Sequence, residues 1–396
     1  MKFRYSERMS HLKASEIREI LKITQNPDVI SFAGGLPAPE LFPVKDIERA
    51  CTSVLERSGP VALQYTTTEG YDPLRDWIAK RYNKRYGAHF DRDNVLIVHG
   101  SQQALDLTGK VFIDPGDIVL CESPTYLAAI TAFRSYGAEF VEVPTDDDGM
   151  IMSELHSIIK DNKKIKMIYV VSNFQNPTGR TWSRERREEL AKISAENDIV
   201  VIEDDPYGEI RFEGEEINSI QSFDRSGNVL STGTFSKTLC PGFRIGWIIG
   251  DKSAIRKYVL TKQGADLQCN TFVQMVISEY LETNDIDEHI QKIKKVYLKR
   301  RDIAVKIMEE NFPEGVTFTR PSGGLFAWVT LPENMNARDL LTGCIEKNVA
   351  FVPGGSFFPN GGHENTLRIN FSNMPDDRIR EGLKRLAESI KAYQNI

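Results

Sequence analysis

The sequence predicts an α/β fold with a large, mostly parallel sheet between helices, followed by a smaller α+β domain. Between residues 94 and 249, short apolar runs alternate with segments of helical periodicity, which is typical of a parallel sheet covered by helices. After Pro313 the pattern changes to short strands and one closing helix. The chain of 396 residues is long enough for two or three domains. We therefore place the large domain at residues 45–312 and the small domain at residues 313–396.

The elements of the large domain follow from its apolar runs and the polar segments between them. Apolar runs predict strands at residues 94–99, 118–121, 140–143, 167–171, 199–203, 229–232 and 246–249. Helical periodicity predicts helices at residues 100–111, after Tyr126, and at residues 151–160 and 183–197. Residues 199–202 are apolar without interruption, so we expect a fully buried strand with parallel neighbours.

The small domain follows a long helix. Residues 284–311 predict one long, charged helix. Beyond it, apolar runs predict short strands at residues 326–329 and 350–352. A helix from Asp376 to about Ala392 closes the chain. Short strands followed by a helix indicate the α+β domain.

Lys237 is the most informative residue of the sequence. Thr234 and Ser236 place hydroxyls three and one residues before it, and Arg244 follows seven residues after it. A lysine that forms an imine with a phosphorylated aldehyde needs such neighbours, because hydroxyls and a guanidinium hold phosphate while the amine holds the carbonyl carbon. A P-loop would place a glycine-rich run directly before Gly-Lys-Ser/Thr, which is missing. On this segment alone, a solvated lysine at the end of an apolar strand stays an alternative.

Polar residues also follow the predicted strands at 167–171 and 199–203. Ligands of open α/β sheets bind at the carboxyl ends of the strands. There, Asp204 could bond a protonated pyridine nitrogen, and Tyr207 could reach a phenolic oxygen. Asn176, in an Asn-Pro-Thr-Gly turn, could donate to the same oxygen. Asp205 follows Asp204 directly, and strand side chains alternate in direction, so only one of the two acids can face the ligand.

The predicted helix at residues 100–111 offers a phosphate site. The first amides of a helix have no intrahelical partner, and the helix dipole favours anions there. Ser101 and Gln102 are therefore candidate phosphate ligands. The alternative is that Ser101 only caps the helix, and the two roles are compatible.

Together these motifs resemble the fold-type I, class I/II aminotransferases that depend on pyridoxal 5′-phosphate (PLP), and most closely the 2-aminoadipate and kynurenine aminotransferases. The resemblance lies in segments that occur in the same order over nearly the whole chain: residues 30–37, 64–65, 100–104, 176–179, 231–247 and 367–372. It implies the type I PLP-dependent transferase fold, PLP as cofactor, and transfer of an amino group from an L-amino acid to a 2-oxo acid such as 2-oxoglutarate. A PLP-dependent lyase or decarboxylase on the same fold stays open.

The resemblance also implies roles for single residues. Lys237, Asp204 and Tyr207 would be catalytic, and the ring of Tyr126 would stack on the cofactor. Tyr65 would reach the phosphate bound by a neighbouring subunit, which implies a homodimer. The first 44 residues would form an arm that packs with the small domain.

Three further residues are expected to contact the substrate alongside Asn176. Gly35 and Arg368 match the family's substrate-binding positions, with Arg368 gripping the α-carboxylate in two parallel hydrogen bonds. Arg18 lies on a predicted amphipathic helix and matches an arginine that meets a distal carboxylate in the 2-aminoadipate aminotransferases. The alternative for Arg18 is a solvated arginine flanked by Glu16 and Glu19.

Composition argues against other classes of protein. The net charge is −6 and no basic stripe stands out, so we expect no nucleic acid partner. A transcription factor would need a DNA-binding domain ahead of Gly34, and no strand runs into the Gly-x-Gly-x-x-Gly turn of a nicotinamide enzyme. The first residues have no apolar core typical of a signal peptide, and no stretch approaches the roughly 18 apolar residues of a membrane span, so we expect no membrane partner. Six dispersed histidines predict no metal site, and five scattered cysteines predict reduced thiols in the cytoplasm.

Overall fold

A computed structural model describes residues 3–6, 8–9, 26–162 and 164–394 of the chain. Its strands, in chain order, are β1 (Ile30–Ser31), β2 (Val95–Val98), β3 (Ile118–Ser123), β4 (Glu139–Asp146), β5 (Gly149–Met150), β6 (Ile165–Val170), β7 (Val200–Asp204), β8 (Val229–Thr234), β9 (Gly246–Ile249), β10 (Thr317–Phe318), β11 (Phe326–Thr330), β12 (Val349–Ala350), β13 (Val352–Pro353) and β14 (Thr366–Asn370). Its α-helices are Val44–Ala62, Asp72–Tyr86, Gly100–Phe112, Leu127–Arg134, Met152–Asp161, Arg184–Asn197, Ile220–Phe223, Lys252–Gln263, Thr271–Thr283, Ile286–Asn311, Ala337–Glu346 and Asp376–Gln394.

The large sheet has eight strands in the order β2-β9-β8-β7-β6-β3-β4-β5. Strands β4, β3, β6, β7 and β8 are parallel to one another, whereas β5 pairs antiparallel with β4, β9 with β8, and β2 with β9. The predicted α/β class with a mostly parallel sheet is confirmed. Because β6, β7 and β8 are parallel neighbours, their carboxyl ends meet at one edge of the sheet, which is where the polar residues lie.

Both faces of the large sheet are covered by helices. Along β2, Leu96 and Val98 pack against helices Gly100–Phe112 and Leu127–Arg134, while Val95 and Ile97 pack into the core on the opposite face. This alternation is the period-two pattern of strand side chains. Since both faces are buried, the central strands are apolar along their length until they reach the ligand edge.

The small sheet is antiparallel, in the order β10-β11-β14-β13. It shares a core with helices Ala337–Glu346 and Asp376–Gln394 and with the C-terminal half of helix Ile286–Asn311. The single strand predicted at residues 350–352 was wrong. β12 pairs in parallel with β1, whereas β13 pairs with β14. The chain changes partners at Phe351, which is fully buried between the two pairings.

The long helix begins later than predicted because of its cap. Asp285 accepts hydrogen bonds from the backbone amides of Asp287 and Glu288, so the helix starts at Ile286 rather than at residue 284. The helix contributes Tyr297 to the large core and Ile303 to the small one. The domain boundary at residue 312 stays a prediction. Within the described ranges, none of the helices is long and apolar enough to cross a membrane.

Candidate active site

A cavity of about 410 Å³ lies at the carboxyl edge of the large sheet and is also lined by β11 and β14 of the small sheet. All predicted site residues except Tyr65 and Arg18 line this cavity. The residues that do so are Gly35, Ser101, Gln102, Tyr126, Asn176, Asp204, Tyr207, Thr234, Ser236, Lys237, Arg244 and Arg368. Tyr65 does not line it and is 79% exposed. Arg18 lies outside the described residues.

Lys237 lines the cavity and follows the end of β8 by three residues. Its Nζ donates a hydrogen bond of 2.8 Å to the carbonyl oxygen of Gly35. Burial lowers the pKa of Lys237 to about 8, and the positive charges of Arg368 and Arg244 act in the same direction. A larger share of this amine is therefore neutral near pH 7 than of an ordinary lysine, which suits a nucleophile and a base.

Asp204 ends β7 and is 1% exposed. Its Oδ1 accepts a hydrogen bond of 2.7 Å from the Thr232 hydroxyl, and its Oδ2 accepts one of 2.8 Å from the Tyr169 hydroxyl. Burial raises the pKa of Asp204 to about 6, although these two hydrogen bonds oppose the shift. The carboxylate can thus exchange a proton, or hold a cationic ligand, near neutral pH.

Asp205 points away from the cavity. Its carboxylate accepts hydrogen bonds from the Gly208 amide at 2.8 Å, from Asn173 Nδ2 at 3.1 Å and from the Tyr86 hydroxyl at 3.3 Å. These contacts fix the turn that leads from β7 to Tyr207. The structure therefore places only Asp204 of the two adjacent acids on the cavity wall.

Helix Gly100–Phe112 directs its N-terminus at the cavity. His99 occupies the N-cap position, so Ser101 lies inside the first turn and the capping alternative for Ser101 is wrong. Gly100 has φ +69°, and a Cβ on it would lie 2.6 Å from Arg244 Nη2. Glycine is favoured here because its φ is positive and because the guanidinium packs closely against the helix start. Free amides and a guanidinium together form a receptor for a dianion.

Thr234 and Ser236 lie on the wall next to this receptor. The Thr234 hydroxyl donates to Ser236 Oγ at 2.8 Å and accepts from the Ser236 amide at 3.1 Å. The two hydroxyls are held by each other and by the backbone. They therefore offer polar atoms of fixed position to the same ligand group.

Arg368, on β14, is 2% exposed. Nη1 donates to Asn176 Oδ1 at 2.7 Å and Nη2 donates to the Ala33 carbonyl at 2.6 Å. Its guanidinium carbon lies 4.2 Å from the centre of the Phe326 ring. Among the described residues, no acid forms an ion pair with Arg368, and its buried Nε has no hydrogen-bond partner. The Nε–H of this buried cation is therefore available to an anionic ligand.

Two tyrosines complete the wall. Tyr126 precedes helix Leu127–Arg134, and burial raises its pKa to about 12. Tyr207 is buried and packs edge-on against Phe326, with ring centres 5.9 Å apart. Burial raises the pKa of Tyr207, and a hydrogen bond from Asn176 opposes this. Both phenols therefore stay protonated near neutral pH, and the Tyr207 hydroxyl can donate to a ligand oxygen.

Sequence reasoning missed Tyr169, Thr232 and Phe326. Tyr169 and Thr232 bond Asp204 from the two strands that flank β7, and Phe326 lies under Arg368. The signal for the first two was a hydroxyl within an apolar strand, since a buried hydroxyl needs a partner. The pairing of Asp204 with Thr232 across β7 and β8 required a register that one sequence does not give.

One group of side chains outside the cavity has the composition of a metal site. His99, Asp266 and Cys269 bring ligand atoms within 4.8 Å of one another. However, Lys262 Nζ lies 2.5 Å from Asp266 Oδ1, and Gln103 and His99 both bond Asp266 Oδ2. The ammonium of Lys262 already neutralises the carboxylate, so this group is an ion-paired network beside the start of helix Gly100–Phe112.

Comparisons with known proteins agree on one family. The sequence model described as "Aminotransferase class I and II" matches residues 28–386. The chain is 47% identical to the aromatic-amino-acid aminotransferase 1 of Thermococcus litoralis, over 98% of this chain and 94% of that protein.

Two solved structures are similar over almost their full length. The kynurenine aminotransferase of Pyrococcus horikoshii, in complex with PMP, has a TM-score of 0.94 and 45% identity, covering 98% of this chain and 97% of that chain. LysN, the alpha-aminoadipate aminotransferase of Thermus thermophilus, complexed with N-(5′-phosphopyridoxyl)-L-leucine, has a TM-score of 0.92 and 38% identity, covering 99% of this chain and 98% of that chain.

Proposed function

We propose, on the premise that this chain belongs to the aminotransferase class I and II family, that it moves the α-amino group of L-amino acids with large side chains to 2-oxoglutarate. Membership of the family confirms the resemblance, the type I fold and PLP as the cofactor of an aminotransferase. The observation that carries the proposal is that Lys237, Asp204 and Arg368 line one cavity, so an amine, an acid and a carboxylate receptor face the same ligand.

The cavity fits PLP in its chemistry. The helix start at Gly100 and the Arg244 guanidinium form a receptor for a dianion, as a phosphate group requires. The Asp204 carboxylate lies on the wall, and no cationic side chain among the described residues forms an ion pair with it, so it is available to the protonated nitrogen of a pyridine ring. When bound, PLP supplies an aldehyde that takes up the amino group and a ring that draws electrons from the substrate carbon.

We assign each part of the cofactor to residues of this chain. The phosphate is assigned to Ser101, Gln102, Thr234, Ser236 and Arg244, the ring nitrogen to Asp204, the ring oxygen to Tyr207 and Asn176, and the ring face to Tyr126. The support is that all of them line the same cavity and that their donors and acceptors match these groups.

Lys237 is assigned as both anchor and base. Its lowered pKa lets Nζ accept the proton of the substrate Cα–H bond near neutral pH. General base catalysis of this kind contributes about 10²–10⁴-fold. Arg368 is assigned to the α-carboxylate, which its unpartnered Nε can receive. Arg368, beside Gly35, would hold the carboxylate so that the Cα–H bond, rather than the bond to the carboxylate, faces Lys237. The relatives favour this transamination over the lyase or decarboxylase alternative.

The relatives point to the donor class. Their names specify aromatic amino acids, kynurenine and alpha-aminoadipate, and one was crystallised with a leucine adduct. We propose aromatic, branched or aliphatic donors together with 2-aminoadipate and glutamate, and we retain Arg18 as the receptor of a distal carboxylate. Because one cavity serves donor and acceptor in turn, the first product must leave before the second substrate enters, which gives ping-pong kinetics.

A homodimer is proposed as the active unit. Leu55, Val61, Leu63 and Tyr65 are 46–79% exposed and form an apolar stretch at and just after helix Val44–Ala62. An apolar stretch of this kind suits a second copy of the chain, in which the partner's Tyr65 would approach the phosphate. The cytoplasm is the proposed compartment, and the support is that all five cysteines are free.

A panel of amino donors tests the function. Purified enzyme is given each L-amino acid with 2-oxoglutarate, with pyruvate, or with no acceptor, and the 2-oxo acid, ammonia and CO₂ are measured. The proposal expects a 2-oxo acid only when an acceptor is present, and parallel double-reciprocal lines. Release of ammonia or CO₂ without an acceptor would refute it.

A further inference from the structure

Three neighbouring strands of the large sheet converge on one carboxylate. β6 carries Tyr169, β7 ends in Asp204, and β8 carries Thr232. Both hydroxyls donate to Asp204, one to each oxygen, at 2.8 and 2.7 Å. All three residues are 1% exposed. The carboxylate therefore has a fixed direction, because a donor on either side prevents its rotation.

Asp204 shares with Glu122 and Glu203 full burial and hydrogen bonds from neutral donors, but of these three acids only Asp204 lines the cavity. By contrast, the less buried Glu209 and Asp266 are each bonded by a cationic side chain. For Asp204, none of the ion pairs found among the described residues includes it, so neutral hydroxyls alone hold its charge. A buried carboxylate without a cation is costly unless a cationic partner arrives. The arrangement is thus suited to receive a cation from the cavity.

Tyr169 acts as the donor because its own proton is firmly held. Burial raises the pKa of Tyr169 well above its usual range, so the phenol does not ionise near neutral pH. Its hydrogen bond and that of Thr232 both lower the pKa of Asp204 against the effect of burial. The ring of Tyr169 packs edge-on against Phe133 at 5.7 Å, which fixes the hydroxyl in place.

We propose that Tyr169 and Thr232 are positioning residues that keep the Asp204 carboxylate charged and aimed at the ring nitrogen of PLP. The inference rests on the proposed role of Asp204. Neither hydroxyl lines the cavity, so both act on the cofactor only through Asp204. Removing either one leaves a buried acceptor of a charged group unpaired. Asp204 then gains a proton more readily and holds the ring nitrogen less firmly.

Tyr169→Phe and Thr232→Val remove the two donors with little change in shape. Each is expected to raise the dissociation constant of PLP by about 10-fold or more, the effect of one hydrogen bond to a charged group. Tyr258→Phe is a matched control. Tyr258 is also fully buried, and its hydroxyl bonds Thr108 Oγ1 at 2.8 Å, with no carboxylate involved. This variant should change the melting temperature and leave the dissociation constant unchanged.

The test titrates the full-length protein, stripped of cofactor, with PLP while its visible absorbance is recorded, in the wild-type background and with Asp204→Asn. The proposal expects the effects of Tyr169→Phe and Thr232→Val to disappear in the Asp204→Asn background, since no charged acceptor remains. Equal losses in both backgrounds, or a wild-type dissociation constant in both variants, would overturn it while leaving the proposed function intact. If Asp204→Asn itself alters neither the dissociation constant nor the absorbance, the role assigned to Asp204 is wrong and the inference fails with it.

Discussion

Substituting Gly100 by alanine should separate the phosphate receptor from the stability of the fold. Gly100 has φ +69°, a left-handed conformation that costs an L-residue about 1–2 kcal/mol. The new Cβ would also lie 2.6 Å from Arg244 Nη2, closer than nonbonded atoms approach. The far end of an arginine can move, so we expect the guanidinium to shift rather than the helix to unfold.

The displaced guanidinium sets the size of the effect on the cofactor. One hydrogen bond to a charged group contributes about 1.5–3 kcal/mol, so the dissociation constant of PLP should rise roughly 10–150-fold. The melting temperature should fall by a few degrees, since each kcal/mol shifts it by about 2–4 °C in domains of 150–250 residues and by less in larger ones. Titration with PLP and a thermal melt without cofactor measure the two effects on the same sample.

Gly87→Ala is the matched control. Gly87 ends helix Asp72–Tyr86 with φ +64°, and a Cβ there would meet nothing within 4 Å. It carries the same backbone penalty without any contact at the cavity. Equal dissociation constants in the two variants would refute the reasoning, because the contact between position 100 and Arg244 would then not serve the phosphate.

Three further predictions concern the cavity. Asp204→Asn should lower kcat far more than Asp205→Asn, because only Asp204 lines the cavity, and equal losses would show that the assignment is wrong. The rate at which protein stripped of cofactor reacts with added PLP should rise with pH around a midpoint near 8, since the pKa of Lys237 is lowered and only the neutral amine attacks the aldehyde; borohydride should then fix PLP on Lys237, and an adduct on another lysine would contradict the assignment. Arg18→Ala should raise KM for glutamate and 2-aminoadipate roughly 10–150-fold and leave KM for leucine unchanged. An equal change for all donors would favour the alternative that Arg18 is a solvated arginine.

Much of the fold could be predicted from the sequence because the signals are local. Apolar runs locate the ends of β6, β7 and β8 to within two residues, and a capping acid such as Asp285 explains where a helix begins. The division of residues 350–352 between two pairings could not be predicted. Each of β12 and β13 has two residues, and their partners lie far away in the sequence, so tertiary contacts decide.

Some features of the site could also be predicted from local sequence, whereas others depend on tertiary contacts. Lys237 and Asp204 carry strong local signals, since Lys237 follows two hydroxyl side chains and Asp204 lies in the acids that close an apolar run. The contact between Arg368 and Asn176 joins residues 192 positions apart and depends on how the small sheet meets the large one. The bonds from Tyr169 and Thr232 depend on strand register, which pattern reasoning does not specify.

Backbone carbonyls in the stretch that follows β1 compete with ligands for the cationic side chains of the cavity. The carbonyl of Ala33 accepts from Arg368 and that of Gly35 accepts from Lys237, so one short peptide holds both cations. A ligand that recruits Lys237 must break its hydrogen bond to Gly35, whereas one that reaches Arg368 can first use the unpartnered Nε. β1, which leads directly into this peptide, pairs with β12, so the peptide that bonds both cations is tied to residues 349–350. The measured affinities for cofactor and substrate therefore include the free energy lost when hydrogen bonds to this peptide break, as well as the free energy gained from the new contacts with the ligand.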